Sequence, residues 1–286
     1  MGHKNKESLT YQINNALNAK ACFGESKHQA KIQGKAQDGI YSCSTFKTYM
    51  KASNRFADYC KENYKCKTLE QCKEHVNDYI QSRRSEGVSA YTQKMEVAAL
   101  GKLYGESFYK SVETDSRHRS DITRSRMDTA RGRHFSEEKN KELVNFCRNT
   151  GLRRSELENI TGKNLIIKED GNYYIHVDNG KGGKERDVYI LNQDKEVIDK
   201  MANTESNEKV WGRVHNGCDV HSYRAEYATE YYNSIARDTA DLKRDERYDC
   251  RADLVGQSYD RKAMLEVSKA LGHNRIDVIA QAYLRK

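Results

Sequence analysis

"NTGLRRSELENIT", residues 149–161, sets two adjacent arginines between a glycine and a carboxylate, in a stretch apolar enough to belong to a core. The segment before it, "FSEEKNKELVNFCRNTG" (135–151), has the spacing of a helix that Ser136 would cap and Gly151 would end. Burying an arginine is costly unless an anion meets it. Arg153 and Arg154 therefore predict an anionic partner.

Downstream, "NYYIHVDNGKGGKERDVYIL" (172–191) alternates apolar and polar residues on both sides of a glycine-rich turn, the pattern of a β-hairpin. From Val210 onward the pattern is mostly helical, with a charged and poorly patterned stretch from Arg237 to Asp253. Upstream, residues 44–109 read as a small all-helical domain. Phe46, Tyr49, Met50, Ala57 and Cys60 share one helix face. "TLEQ" (68–71) is a capping box, opening a helix with Leu69, Cys72, Val76, Tyr79 and Ile80 on its apolar side. Ser89 caps a third helix. Residues 1–43 form a basic, glutamine- and asparagine-rich segment in which Leu9, Ile13 and Leu17 predict a short helix. Between the two units, residues 110–134 are an arginine-rich linker. The second unit spans 135–286, and the fold class is mainly α with a small antiparallel β-sheet.

Charged residues make up 32% of the 286-residue chain and hydrophobic ones 36%, enough for two modest cores. No apolar run is long enough to span a membrane, and the N-terminus lacks the apolar core of a secretion signal, so a cytoplasmic protein is expected. The net charge of +8 favours a polyanionic partner. In the linker, Arg117, Arg119, Arg124, Arg126, Arg131 and Arg133 alternate with serine, threonine and aspartate. Composition alone favours a solvated connector; set between two domains of a basic protein, the same arginines could track phosphates. Eight cysteines without a C-x-x-C pair suit reduced thiols. Cys60, Cys66, Cys72 and His75, and again His215, Cys218 and His221, have spacings that suggest a metal. Zinc sites usually draw close ligand pairs from turns, and Cys60 and Cys72 occupy core-like helical positions, so no metal or other cofactor is expected.

Four segments carry chemistry in order: "TGLRRSEL" (150–157), "GKGGKER" (180–186), "HSYR" (221–224) and "LGHNRIDVIAQAYL" (271–284). Each is common alone. Together, the chain from about residue 44 resembles the tyrosine recombinases of the phage-integrase family. The resemblance implies a helical core-binding domain plus a mixed α/β catalytic domain, closing on duplex DNA as a C-shaped clamp. It makes Arg153, Lys181, His221, Arg224, His273 and Tyr283 the catalytic set, with Glu156 and Lys184 in support and Arg154 turned to a backbone phosphate or to solvent. The awaited anion is then the scissile phosphate of double-stranded DNA.

The chemistry suits those residue types. Guanidinium groups match non-bridging phosphate oxygens and stay charged at any working pH. A tyrosine phenol, with an ordinary pKa near 10, is drawn toward phenolate by cationic surroundings. The 5′-hydroxyl leaving group needs a proton, which a lysine supplies, and His221 can act as acid or base. His273 would hydrogen-bond the phosphate. The family resemblance further implies a 3′-phosphotyrosyl intermediate, a homo-tetramer on synapsed DNA, accessory directionality or DNA-bending proteins, and a role in integrating or excising a mobile element.

The sequence departs from the family pattern in four places. Val220 and Ala225 stand where proline and histidine are usual around the H-x-x-R box. Ten residues separate His273 from Tyr283, one more than the commonest spacing. Three residues follow Tyr283, so no long C-terminal tail is expected to dock on a neighbouring subunit. Two other readings share the motifs: a catalytically inactive DNA-binding protein on the same fold, and a type IB topoisomerase-like enzyme.

Overall fold

The computed structural model describes residues 7–34, 38–118, 121, 135–181 and 183–284. They form two compact units, Met1–Arg117 and His118–Lys286.

Unit 1 begins with α1 (Leu9–Asn18), capped by Ser8, whose hydroxyl accepts from the Tyr11 amide at 3.2 Å. Its apolar stripe is one-sided, and Ile13 and Leu17 are fully buried in the same core as Phe56, Cys60 and Leu100. The predicted helix is present, and among the described residues Ile13, Leu17 and Ile40 share the core of the helices that follow. After a short α2 (Lys27–Ile32) comes α3 (Cys43–Tyr64), capped by Ser42 and ended at Lys65 in the left-handed conformation. Thr68 and Gln71 make both arms of the capping box before α4 (Leu69–Lys73). The single helix expected there breaks at Glu74–His75, and α5 (Val76–Ser85) continues it. Cys72, Val76, Tyr79 and Ile80 stay buried across the break. Ser89 caps α6 (Ala90–Tyr104), and Gly105 ends it. The buried Glu96 carboxylate is paired by Arg55 and Arg83, which makes its burial tolerable.

In unit 2, Ser136 accepts from the Lys139 amide at 3.3 Å. That bond lies just ahead of a 3₁₀ turn (Glu138–Asn140), and α7 (Lys141–Thr150) starts only after the turn, with Asn140 rather than Ser136 at its N-cap position. Gly151 ends α7 at φ +54°, and a Cβ there would lie 2.4 Å from Tyr227 Cδ1. Conformation and space both demand glycine. Next come α8 (Arg154–Leu157) and a three-stranded antiparallel sheet: β1 (Leu165–Ile167), β2 (Tyr173–Val177) and β3 (Arg186–Tyr189), with β2 central. The predicted hairpin is β2–β3, in a register that opposes the buried Ile175 and Val188. The strand β1 leaves no mark in the sequence, because its three residues are too few to show a period.

The remainder is α9 (Lys195–Ala202), α10 (Val220–Ile235), β4 (Arg247–Asp249), β5 (Ser258–Asp260), α11 (Arg261–Ala270) and α12 (Asp277–Ala282). The pair β4–β5 lies in and just beyond the charged stretch that shows no pattern in the sequence. Polar contacts hold it. The buried Asp260 accepts from Arg237 Nε at 2.8 Å, and Tyr232 Oη accepts from the Asp260 amide at 2.8 Å. The apolar faces of α7, α10, α11, α12 and the sheet enclose one core. Among the described residues, no helix is long and apolar enough to cross a membrane.

Candidate active site

Arg153 precedes α8 in an extended conformation, and Glu156 reaches back to accept its amide at 2.7 Å. The same carboxylate accepts from Arg153 Nη1 at 2.8 Å. Arg153 Nη2 extends to the carbonyl of Leu271 at 2.9 Å, 118 residues away in sequence. On α10, three residues beyond His221, Arg224 is 1% exposed. Its guanidinium donates to the carbonyls of Gly151 and Leu271, and its Nε lies 3.5 Å from the Tyr283 hydroxyl. Two guanidiniums from distant segments thus meet at one carbonyl oxygen.

Tyr283 follows the last turn of α12 and is 5% exposed. His273 Nε2 lies 3.1 Å from its hydroxyl, and the His221 ring packs edge-on at 5.6 Å between centroids. The extra residue between His273 and Tyr283 is absorbed at the helix end: α12 stops at Ala282, and Tyr283 departs from helical geometry at φ −121°. The other departures are also accommodated. Val220 is buried at the start of α10, where Asp219 supplies the cap, and Ala225 is buried in the core.

The hairpin tip carries Lys181, which is exposed and whose charge reaches His273. Lys184 instead donates to Asn274 Oδ1. Arg154 does not point freely to solvent. It donates to the carbonyls of His215 at 3.2 Å and Cys218 at 2.6 Å, anchoring the loop that leads into α10. Arg117 lies 5.5 Å over the Tyr91 ring, within unit 1. Arg119, Arg124, Arg126, Arg131 and Arg133 fall outside the described residues. No disulfide joins any of the eight cysteines, and no group of three or more metal-ligating side chains is arranged to hold an ion among the described residues.

Arg186, at the start of β3, joins this cluster although no motif singles it out. It donates to both Glu156 oxygens, at 2.9 and 2.7 Å, and to the Ala270 carbonyl at 2.8 Å. The available signal was the buried-type acid Glu156, which needed a second cation to neutralise its neighbourhood. Burial would raise the Glu156 pKa, but Arg186 and Arg153 outweigh it and hold the carboxyl down at about 2. Burial, then Arg224, Arg153, Arg186 and Lys181 in turn, push His273 down to about 4. Burial also pulls Arg224 down to about 10, still cationic at neutral pH. Arg153 and Arg186 share one carboxylate, Glu156, while Arg224 donates to backbone carbonyls. Beside them lies an open cleft of about 550 Å³ lined by Arg153, Arg154, His221 and Arg224, and also by Glu158, which lies 3.9 Å from Arg154, and by Asp219, the cap of α10. It is built to receive an anion.

No protein-family model matches the sequence, and no curated protein is similar to it. Solved structures are. The XerH site-specific recombinase bound to its difH substrate shares 16% identity at a TM-score of 0.49, over 100% of this chain and 89% of that one. The Tn1549 transposon integrase in complex with transposon right-end DNA shares 12% at 0.44, over 92% and 96%. XerA recombinase shares 14% at 0.30, over 96% and 94%.

Proposed function

We propose that this protein is a tyrosine-type site-specific DNA recombinase that cuts and rejoins DNA through a 3′-phosphotyrosyl intermediate. The observation that carries the reading is the Tyr283 hydroxyl lying within reach of both His273 and Arg224, in a buried site where Arg153 and Arg224 converge on one carbonyl oxygen.

The steps balance without a co-reactant. Arg153 and Arg224 each carry five N–H donors, more than their contacts here consume, and they grip the non-bridging oxygens of a DNA phosphate. Arg224 Nε can only donate to the Tyr283 oxygen, so the hydroxyl proton is directed at His273 Nε2. A neutral imidazole accepts it: His273 is neutral in the free site, and the bound phosphate, by offsetting the guanidiniums, raises its basicity for the transfer. Tyr283 Oη attacks phosphorus, the P–Oη bond forms and the P–O5′ bond breaks. Lys181 gives a proton to the departing 5′-oxygen. The phosphotyrosyl bond conserves the energy of the broken linkage, and attack by a 5′-hydroxyl reverses every transfer to reseal the strand. His221 is the second imidazole beside the tyrosine. Glu156 orients Arg153, and Lys184 steadies the hairpin against the turn after His273.

At the level of the assembly, we propose a homo-tetramer on two DNA sites acting for a mobile element, with accessory DNA-bending or directionality proteins. The linker arginines and residues of unit 1 supply contacts to backbone phosphates. Covalent capture tests the reading. The protein is incubated with fragmented DNA of its source, stripped with denaturant, and the DNA that stays attached is sequenced. A short recurrent site is expected. Retention of no DNA, or of fragments without a common site, contradicts the proposal.

A further inference from the structure

Glu156 faces two guanidiniums, and the proposed chemistry uses only Arg153. Arg186, 6% exposed in its side chain, has three of its N–H groups committed to Glu156 and to the Ala270 carbonyl, so it is not presented to DNA. Two glycines border its path. A Cβ on Gly180 would fall 2.7 Å from the Lys184 carbonyl and 2.8 Å from Arg186 Nη1, and a Cβ on Gly272, whose φ is +66°, would fall 3.0 Å from Arg186 Cδ. That arginine links the Arg153–Glu156 turn, the strand carrying the hairpin, and the end of α11, whose next carbonyl, Leu271, receives both Arg153 and Arg224.

We infer that Arg186 is the positioning residue for the phosphate clamp: by sharing the Glu156 carboxylate, it fixes Arg153 and leaves that guanidinium's charge available to the scissile phosphate. This rests on the recombinase reading. Arg153 paired with Glu156 alone is neutral, and a neutral pair is a poor anion receptor. Arg153, Glu156 and Arg186 together carry +1, so Glu156 can aim Arg153 without cancelling it. A cation at position 186 separates orientation from neutralisation, which a glutamine cannot do and a lysine does only in part, since it lacks the planar fork that meets both carboxylate oxygens.

The test compares Arg186→Gln, Arg186→Lys and Arg153→Ala with the unaltered protein on the captured DNA site. Two substrates are used: ordinary DNA, and DNA with a methylphosphonate at the scissile position. The methyl group removes the negative charge that the clamp must balance. On ordinary DNA, Arg186→Gln is expected to form the covalent adduct about a hundredfold more slowly, the upper range for losing a partner that orients a reacting group. On the methylphosphonate the deficit should shrink to within about threefold, as it should for Arg153→Ala, because little charge remains to be met. DNA affinity should be unchanged, and Arg186→Lys should fall between. Arg186→Lys also carries the comparison if far-UV circular dichroism shows Arg186→Gln to be unfolded. Equal deficits on both substrates would overturn the inference, reducing Arg186 to a staple between β3 and α11. Absence of any adduct from the unaltered protein would instead overturn the recombinase reading, and this assignment with it.

Discussion

His273 sits among Arg153 from the start of α8, Arg186 from β3, Arg224 from α10 and Tyr283 from the end of α12, with the charge of Lys181 close by. Burial and these cations hold its pKa at about 4, against 6.5 for the unfolded side chain. The unfolded chain therefore binds a proton that the folded one refuses as pH falls from 6.5 to about 4, and stability is lost across that window. Above 6.5 the contribution is fully present. NMR titration of the imidazole should show a midpoint near 4 in the free protein, moving up when inorganic phosphate or DNA offsets the guanidiniums. A midpoint at or above 6.5 in the free protein would contradict the site's electrostatics. The two hairpin lysines separate by a different measurement. Lys184 is held by Asn274, whereas Lys181 stands exposed at the tip. Lys181→Ala should cleave at least about a hundredfold more slowly, and recover most of its rate when sulfur replaces the bridging 5′-oxygen, because a thiolate leaves without a proton. Lys184→Ala should show a smaller defect that sulfur does not repair. Rescue of Lys184→Ala and not Lys181→Ala would reverse the assignment.

The turn from α7 into α8 shows how an element's end builds the site. Gly151 combines a positive φ with contact against Tyr227, and its carbonyl receives Arg224. Gly151→Ala should cost more than about 1 kcal/mol, from backbone strain and the aromatic clash together, read as a lowered denaturation midpoint. An unchanged midpoint would mean that the turn relaxes without consequence. At the other end of the chain, α1 belongs to a core. Ile13→Ala or Leu17→Ala should destabilise unit 1 by roughly 2–5 kcal/mol. Removing residues 1–39 should unfold that unit rather than trim a DNA-binding arm. What was legible in the sequence follows the range of each signal. The caps at Thr68 and Ser89, the buried faces of α3 to α6 and the β2–β3 hairpin are set by neighbours a few residues apart. The pair β4–β5 was not legible, because Arg237 and Asp260 hold it across 23 residues with no apolar period to read. The six residues proposed for catalysis could be read as ordered motifs. Arg186 lay inside one of them, but its partners stand 30 and 84 residues away, and only the folded chain brings them together.

A net charge of +8 is the largest-scale feature of the molecule, and on the recombinase reading it serves to meet DNA phosphates. Replacing Arg117, Arg119, Arg124, Arg126, Arg131 and Arg133 with glutamine should weaken DNA binding at every sequence alike. It should also flatten the plot of log K against log salt by close to one unit for each phosphate that is no longer neutralised. An unchanged slope would return the linker to the role of a solvated connector. The central claim is narrower and can be read from one bond. Trapping the protein on a nicked copy of its captured site, so that the cleaved end diffuses away, should leave a covalent DNA–protein junction, and peptide mapping should find it on Tyr283. An adduct on Tyr248 or Tyr259, or one that persists in Tyr283→Phe, would contradict the account.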